Sequence, residues 1–258
     1  MYKLGKQSSM KSIMNFTQTK LRQYFWLAPV VYLFVAIFLL RNNVGYVYAA
    51  AGALVALTAV LHRLEAVKPD ITLARWLTVL SVIGISAAVI LSIEKIELLT
   101  QNDHVTSCSL SPIVACSPII ASPQADAFGL PNSFIGIFGF SAVFVAGMTM
   151  AAGAIKLARA WWRTLLAGIS FGAGFCIWLF YQGVFEIGKL CLYCTLVWLV
   201  TFALLWLVTA YCIKNHHITL GSRLNKILSY TRECIIITYV VIFMLVFYRW
   251  SDYWLSLF

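Results

Sequence analysis

The run Leu190-Cys191-Leu192-Tyr193-Cys194-Thr195-Leu196-Val197-Trp198-Leu199-Val200 continues to Cys212 without a charged residue, and its reading decides the fold. A hydrocarbon core about 30 Å thick is crossed by roughly 20 helical residues at 1.5 Å each, so 190–212 is long enough to span it. Two cysteines open the run, separated by two residues, which places both thiols within one helical turn. A disulfide between them closes a small ring and can break and reform without large backbone motion. The positive end of a helix dipole stabilises a thiolate at such a place, so the pair reads as redox-active. The plainer alternative is two apolar cysteines that happen to share a helix. Zinc has less support, because four ligands are usual and neither a second such pair nor a nearby His completes the set. No metal is expected.

Outward from this run the whole chain has the same character. Of its 258 residues, 62% are hydrophobic and 11% charged, and the mean hydropathy is +0.87. A soluble domain needs far more polar surface, so the chain is read as an all-α polytopic membrane protein. Six further apolar runs, 24–40, 44–61, 76–99, 133–155, 164–187 and 233–250, bring the expected spans to about seven. The first two are short and joined by Arg41-Asn42-Asn43, so 24–61 is expected as an accessory transmembrane hairpin. The run 233–250 would make 233–258 a C-terminal spanning segment.

The net charge of +10 suggests nucleic acid, but the basic residues lie between apolar runs and not on one patch. In a membrane protein that pattern reports orientation. With the N-terminus inside, the inner segments collect fifteen of the nineteen Lys and Arg, leaving Arg41, Lys95, Lys189 and Arg249 outside. Seven spans with a cytoplasmic N-terminus follow. Met1–Gln23 then reads as a basic cytoplasmic tail and not a signal peptide, since no small-residue cleavage site follows its first apolar run. The loop 100–131 and the Cys191–Cys194 pair fall outside. Tyr24, Trp26, Trp161, Trp162, Tyr253 and Trp254 are expected as an interfacial belt. Gly168 and Gly172, spaced G-x-x-x-G, are expected to permit close helix packing.

The other cysteines separate by depth. Cys108 and Cys116 lie eight positions apart in the outer loop, where two thiols ordinarily pair. They are either a staple that pins the loop or, with Cys191 and Cys194, half of a thiol relay. Cys176 is mid-span and reads as a small hydrophobe, and Cys212 and Cys234 fall at cytoplasmic helix ends. His62, His104, His216 and His217 have no metal-ligand spacing. Glu94, Glu97 and Glu186, near outer helix ends, are expected on solvated faces, with a proton relay as the less favoured role.

Cys108-Ser109, Cys116-Ser117, Ser122, Phe128-Gly129-Leu130-Pro131-Asn132-Ser133-x-x-Gly136 and Cys191-Leu192-Tyr193-Cys194, in that order, resemble the vitamin K epoxide reductase family. The resemblance covers about 76–213 and implies a catalytic four-helix bundle around a quinone, with the cysteine loop 100–131 as its lid. It implies that Cys108 exchanges with a partner protein, Cys116 hands electrons to Cys191, and Cys194 faces the quinone. Asn132 would hydrogen-bond a quinone carbonyl, with Ser122 on the lid above and Phe128 in the same motif. Family members often carry Tyr one turn after the cysteine pair; here that position is Trp198, whose indole can donate a hydrogen bond but not release a proton.

The implied activity is quinone-dependent oxidation of an extracytoplasmic thioredoxin-like (DsbA-like) protein, supporting disulfide formation, with ubiquinone or menaquinone as electron acceptor. Some bacterial relatives carry a fused thioredoxin-like domain, and none follows Phe258 here, so the partner is expected to be separate. A bacterial inner membrane with the site on its periplasmic face is the expected location. The alternatives are physiological reduction of quinone or quinone epoxide, or a non-enzymatic membrane protein stapled by loop disulfides.

Overall fold

A computed structural model describes residues 69–253, apart from 101–105, 110, 155–156, 220, 222–227, 229 and 252. The chain divides into two units, Met1–Lys68 and Pro69–Phe258. Everything described belongs to the second, so the expected tail 1–23 and hairpin 24–61 lie outside the described residues.

The second unit is helical, and its described residues form no strand beyond one isolated bridge between Val114 and Leu190. Helix α1 covers Pro69–Thr100, α2 is a single turn over Ser117–Ile120, and a 3-10 turn follows at Pro123–Asp126. Then come α3 (Asn132–Ala151), α4 (Arg159–Tyr181) running into a π turn at Gln182–Ile187, α5 (Leu192–Lys214) and α6 (Thr231–Arg249). Among the described residues five helices, α1, α3, α4, α5 and α6, are long and apolar enough to cross a membrane. They correspond to the last five runs read from the sequence.

Their ends differ from those runs for a simple reason. An apolar window marks what lies in hydrocarbon, whereas a helix continues into the interface. Helix α1 begins at Pro69, where a proline suits the first turn because the N–H it lacks would have no helical acceptor. Its 32 residues extend roughly 48 Å at 1.5 Å each, well beyond the hydrocarbon core. Helix α4 starts at Arg159, so its first turns carry Arg159 and Arg163 ahead of the apolar run.

Helices α1, α3, α4 and α5 form a bundle in which α1 packs along α3 and α5, α5 packs on α4, and α3 scarcely meets α4. Lipid is as apolar as a side chain, so such packing depends on close fit rather than on expulsion of water. At Gly147 of α3 an added Cβ would stand 2.6 Å from Thr78 Oγ1 and 2.9 Å from the Thr78 backbone nitrogen. That glycine lets α1 and α3 approach. The expected packing pair on α4 behaves differently: an added Cβ at Gly168 meets nothing within 4 Å, and both Gly168 and Gly172 line a cavity instead. There the small residues leave room for the cavity.

Buried hydroxyls inside the bundle satisfy themselves on their own helix, as hydrocarbon requires. Thr78 donates to Ala74 O at 2.9 Å, Ser92 to Ala88 O at 2.8 Å and Thr201 to Val197 O at 2.8 Å. At the end away from the cysteines, Trp162 is wholly buried, stacked on His217 and edge-on to Trp161. It belongs to the core and not to the interfacial belt, because α4 turns it inward against Tyr211 and Cys212. Helix α6 contributes no buried residue of its own, and joins α5 through Trp206 Nε1 to Thr238 Oγ1 (3.0 Å) and Tyr239 OH to Leu199 O (2.7 Å). Its outward face, including Ile236, Val240 and Phe243, is of a kind that suits lipid.

Gly147→Ala is expected to lower stability by about 1–3 kcal/mol through overpacking against α1, read as a lower midpoint of helix loss in detergent. Gly174→Ala, with nothing within 4 Å of the added carbon, is expected to leave the midpoint unchanged or raise it. Equal losses at both sites would contradict this account of the α1–α3 contact.

Candidate active site

The cysteines are brought together by the backbone before any side chain acts. The π turn ends at Gly188, whose φ of 69° is left-handed and favours glycine. The chain then reverses and runs beside the outer loop as a one-residue parallel bridge. Leu190 N donates to Ile113 O at 2.9 Å and Ala115 N to Leu190 O at 3.1 Å. Two positions beyond Val114 stands Cys116, one beyond Leu190 stands Cys191, and their sulfurs are 3.2 Å apart.

Cys116 is disulfide-bonded to Cys108, with the Cα atoms 5.7 Å apart. The sulfurs of Cys108, Cys116 and Cys191 all lie within 4.8 Å of one another. Two of the three are joined to each other, and a metal ligand must be a thiolate, so this grouping is arranged for thiol–disulfide exchange. Cys191 and Cys194 are free thiols. Cys191 is the N-cap of α5, and its sulfur accepts a hydrogen bond from Cys194 N at 3.2 Å, where an oxygen of Ser, Thr or Asp usually sits. The helix therefore starts at Leu192, and Cys194 lies in its first turn.

The loop is fastened over this cluster from several sides. Glu94 of α1 accepts from Ser107 N at 3.1 Å and from the Ser107 hydroxyl, and that hydroxyl meets Tyr193 OH at 3.1 Å. Ser107 precedes Cys108, and Tyr193 lies between the two cysteines of α5, so one serine ties both redox pairs to α1. Thr106 Oγ1 contacts the hydroxyls of Ser109 and Ser117, and Lys189 Nζ donates to Pro112 O at 2.7 Å. Glu94 is only 5% exposed, which corrects the expectation of a solvated face: the loop folds onto it.

Cys108 is also buried, at 2% exposure. The sequence reading gave it an outermost, partner-facing role. In this arrangement its side chain is closed to a partner.

Beneath the cluster lies a cavity of about 700 Å³ between α1, α3, α4 and α5, with Leu91, Phe140, Phe175 and Val197 among its walls. Cys194, Asn132, Ser122 and Trp198 all line it. Asn132 Nδ2 donates to Gln124 O at 2.7 Å, while its Oδ1 is buried with no partner among the described residues. Ser122 donates to Ile119 O at 2.7 Å, and Trp198 is buried against Phe180. Phe128 is placed otherwise: it is half-exposed, does not line the cavity, and packs on Phe171 and Phe175, which do. It covers the wall from outside because the chain passes over the rim before entering α3.

Sequence reasoning missed Lys95, Gln124 and Gln182, all of which line the cavity at the cysteine end. Lys95 carried a usable signal, being a basic residue inside the apolar run 76–99 between Glu94 and Glu97, but it was read as a topology marker. Gln182 carried none. Cys176, read as an inert hydrophobe, is buried and lines the same cavity.

No curated protein matches the chain closely enough to be counted a relative. A sequence profile of the vitamin K epoxide reductase family matches residues 75–209, just over half of the chain. That stretch runs from α1 to α5 and contains the three-sulfur cluster, Cys194 and the cavity's polar end. The chain therefore belongs to the vitamin K epoxide reductase family, a group of quinone-linked disulfide oxidoreductases.

Proposed function

We propose that the protein is a quinone-dependent thiol oxidase that reoxidises a separate thioredoxin-like (DsbA-like) protein outside the cytoplasm. The observation that carries this reading is the 3.2 Å contact between Cys116 and Cys191, with Cys194 facing the cavity one turn on. A mere loop staple has no use for a third sulfur at that distance.

The exchange balances in three stages. A partner thiolate attacks Cys108 Sγ and displaces Cys116, and the partner's second thiol then releases Cys108. With Cys191 and Cys194 joined as a disulfide, the Cys116 thiolate attacks Cys191 Sγ and displaces Cys194. Cys108 next attacks Cys116, re-forming the loop disulfide and freeing Cys191. A Cys108–Cys116 disulfide beside free Cys191 and Cys194 is the arrangement expected at the end of this stage. In the last stage the two thiols pass two electrons and two protons to a quinone, giving hydroquinone and the Cys191–Cys194 disulfide.

Entry of the partner requires the 106–109 turn to open, which breaks the Ser107 contacts to Glu94 and Tyr193. Each such bond contributes about 1 kcal/mol net, somewhat more where a carboxylate accepts. The opening therefore costs on the order of a few kcal/mol, within thermal reach. A lipid-soluble quinone suits an apolar cavity with its polar groups gathered at one end. Ubiquinone or menaquinone, a bacterial inner membrane and a periplasmic site complete the reading; the charge bias of the flanking segments supports that orientation.

Purified protein is expected to oxidise a reduced thioredoxin-like substrate only when quinone is added, and Cys194→Ala to lower turnover by ~100-fold or more. Undiminished turnover in Cys194→Ala would remove the helix pair from the chemistry. Separately, Cys116→Ser mixed with the oxidised partner is expected to accumulate a mixed disulfide, the lone Cys108 thiolate attacking the partner's disulfide and displacing one partner thiol, visible as a mass shift lost on reduction. An adduct found only on Cys191 or Cys194 would reverse the proposed order.

A further inference from the structure

Lys95 has no part in the thiol exchange, yet it is held with more care than a surface lysine. It is 7% exposed and lines the cavity together with Asn132, Ser122 and Gln124. Its Nζ donates to Ile120 O at 2.9 Å and to Asp126 Oδ2 at 2.7 Å. Ile120 packs with Cys116 and Cys191, and Cys194 lies against that same group. The ammonium thus sits at the end of the cavity where the electron-donating thiol opens into it.

Burying an ammonium is costly unless it is paired, and this pairing is uneven. The Asp126 side chain is 37% exposed against 9% for Lys95, and its Oδ1 is buried with no partner among the described residues. An ammonium has three donors, and the lid uses two. A quinone receiving electrons carries negative charge on a ring oxygen until protons follow. A fixed cation in a water-poor pocket stabilises such charge most when it needs no rearrangement.

We propose that Lys95 is the charge-stabilising group of the cavity, oriented by Asp126 and Ile120 O toward the oxygen of an anionic quinone ring. This rests on the quinone reading above. The balance of the step is unaltered by it. Two S–H bonds break, the Cys191–Cys194 bond forms, and two electrons and two protons end on the ring oxygens. Lys95 keeps its own proton throughout.

The test compares binding of two ring compounds to the full-length protein in detergent without reductant. One is 2-hydroxy-3-methyl-1,4-naphthoquinone, an anion at neutral pH; the other is the neutral 2,3-dimethyl-1,4-naphthoquinone. Lys95→Met is expected to weaken the anion by about tenfold or more while changing the neutral ring by no more than about twofold, and Lys95→Arg to keep the preference. Asp126→Asn, which removes the compensating carboxylate but keeps the cation, is expected to hold or raise affinity for the anion. If Lys95→Met and Asp126→Asn weaken both rings alike, Lys95 only fastens the lid and the proposal falls. It falls equally if Lys95→Met leaves the anion unaffected, or if neither ring binds the unsubstituted protein. Should Lys95→Met fail to fold, a loss of anion affinity in Asp126→Asn overturns the proposal by itself. A selective loss in Lys95→Met in a protein without quinone-dependent turnover would sustain this inference and refute the oxidase reading.

Discussion

The parallel bridge between Val114 and Leu190 is a single pair of backbone hydrogen bonds, yet the site is assembled around it. It sets Val114 beside Leu190, with Cys116 two residues on from the first and Cys191 one residue on from the second. On one side the bridge is fed by the left-handed Gly188, which ends the π turn of α4. On the other it leads directly into α2, whose N-cap is Cys116 itself. Two sulfurs far apart in sequence are thereby brought to 3.2 Å. The arrangement resembles a clasp closed by main chain and carrying its chemistry in the residues just beyond.

Hydrocarbon imposes the second constraint. Every polar group within the bundle needs a partner inside the protein, and most hydroxyls find it four residues back on their own helix. Three polar groups that bond away from their own helix stand at the cysteine end: Lys95 on Asp126, Asn132 on Gln124 and Glu94 on Ser107. All three join a spanning helix to the loop above it. Two of these groups, Lys95 and Asn132, also line the cavity, and the third holds the residue next to Cys108.

Much of this was legible in the sequence, and the reasons are particular. Long apolar runs report spans directly, and the five in the described region all became helices. The spacing of Cys191 and Cys194 at the start of such a run marked a pair of thiols near a helix N-terminus. The order of the cysteines and the Phe128–Gly136 stretch pointed to the family. What escaped was everything decided by the path of the loop. Glu94 looks solvated until Ser107 folds onto it, and Cys108 looks exposed until the same turn closes. Phe128 belongs to the motif but rides on the rim. Trp162 sits where an interfacial ring is expected, yet helix rotation points it inward. Gly168 and Gly172 have the spacing of a packing seam and instead border the cavity, since α3 and α4 part there. Hydropathy records depth, not the direction a side chain takes at that depth.

The central claim is that electrons cross from loop to helix between Cys116 and Cys191. It is tested most directly in the Cys108→Ser, Cys194→Ser double variant, which removes the competing partner of each. Mild oxidation followed by peptide mapping is expected to give a Cys116–Cys191 disulfide as the dominant cross-link. Cys116 recovered unpaired, or joined mainly to Cys176, would contradict the account.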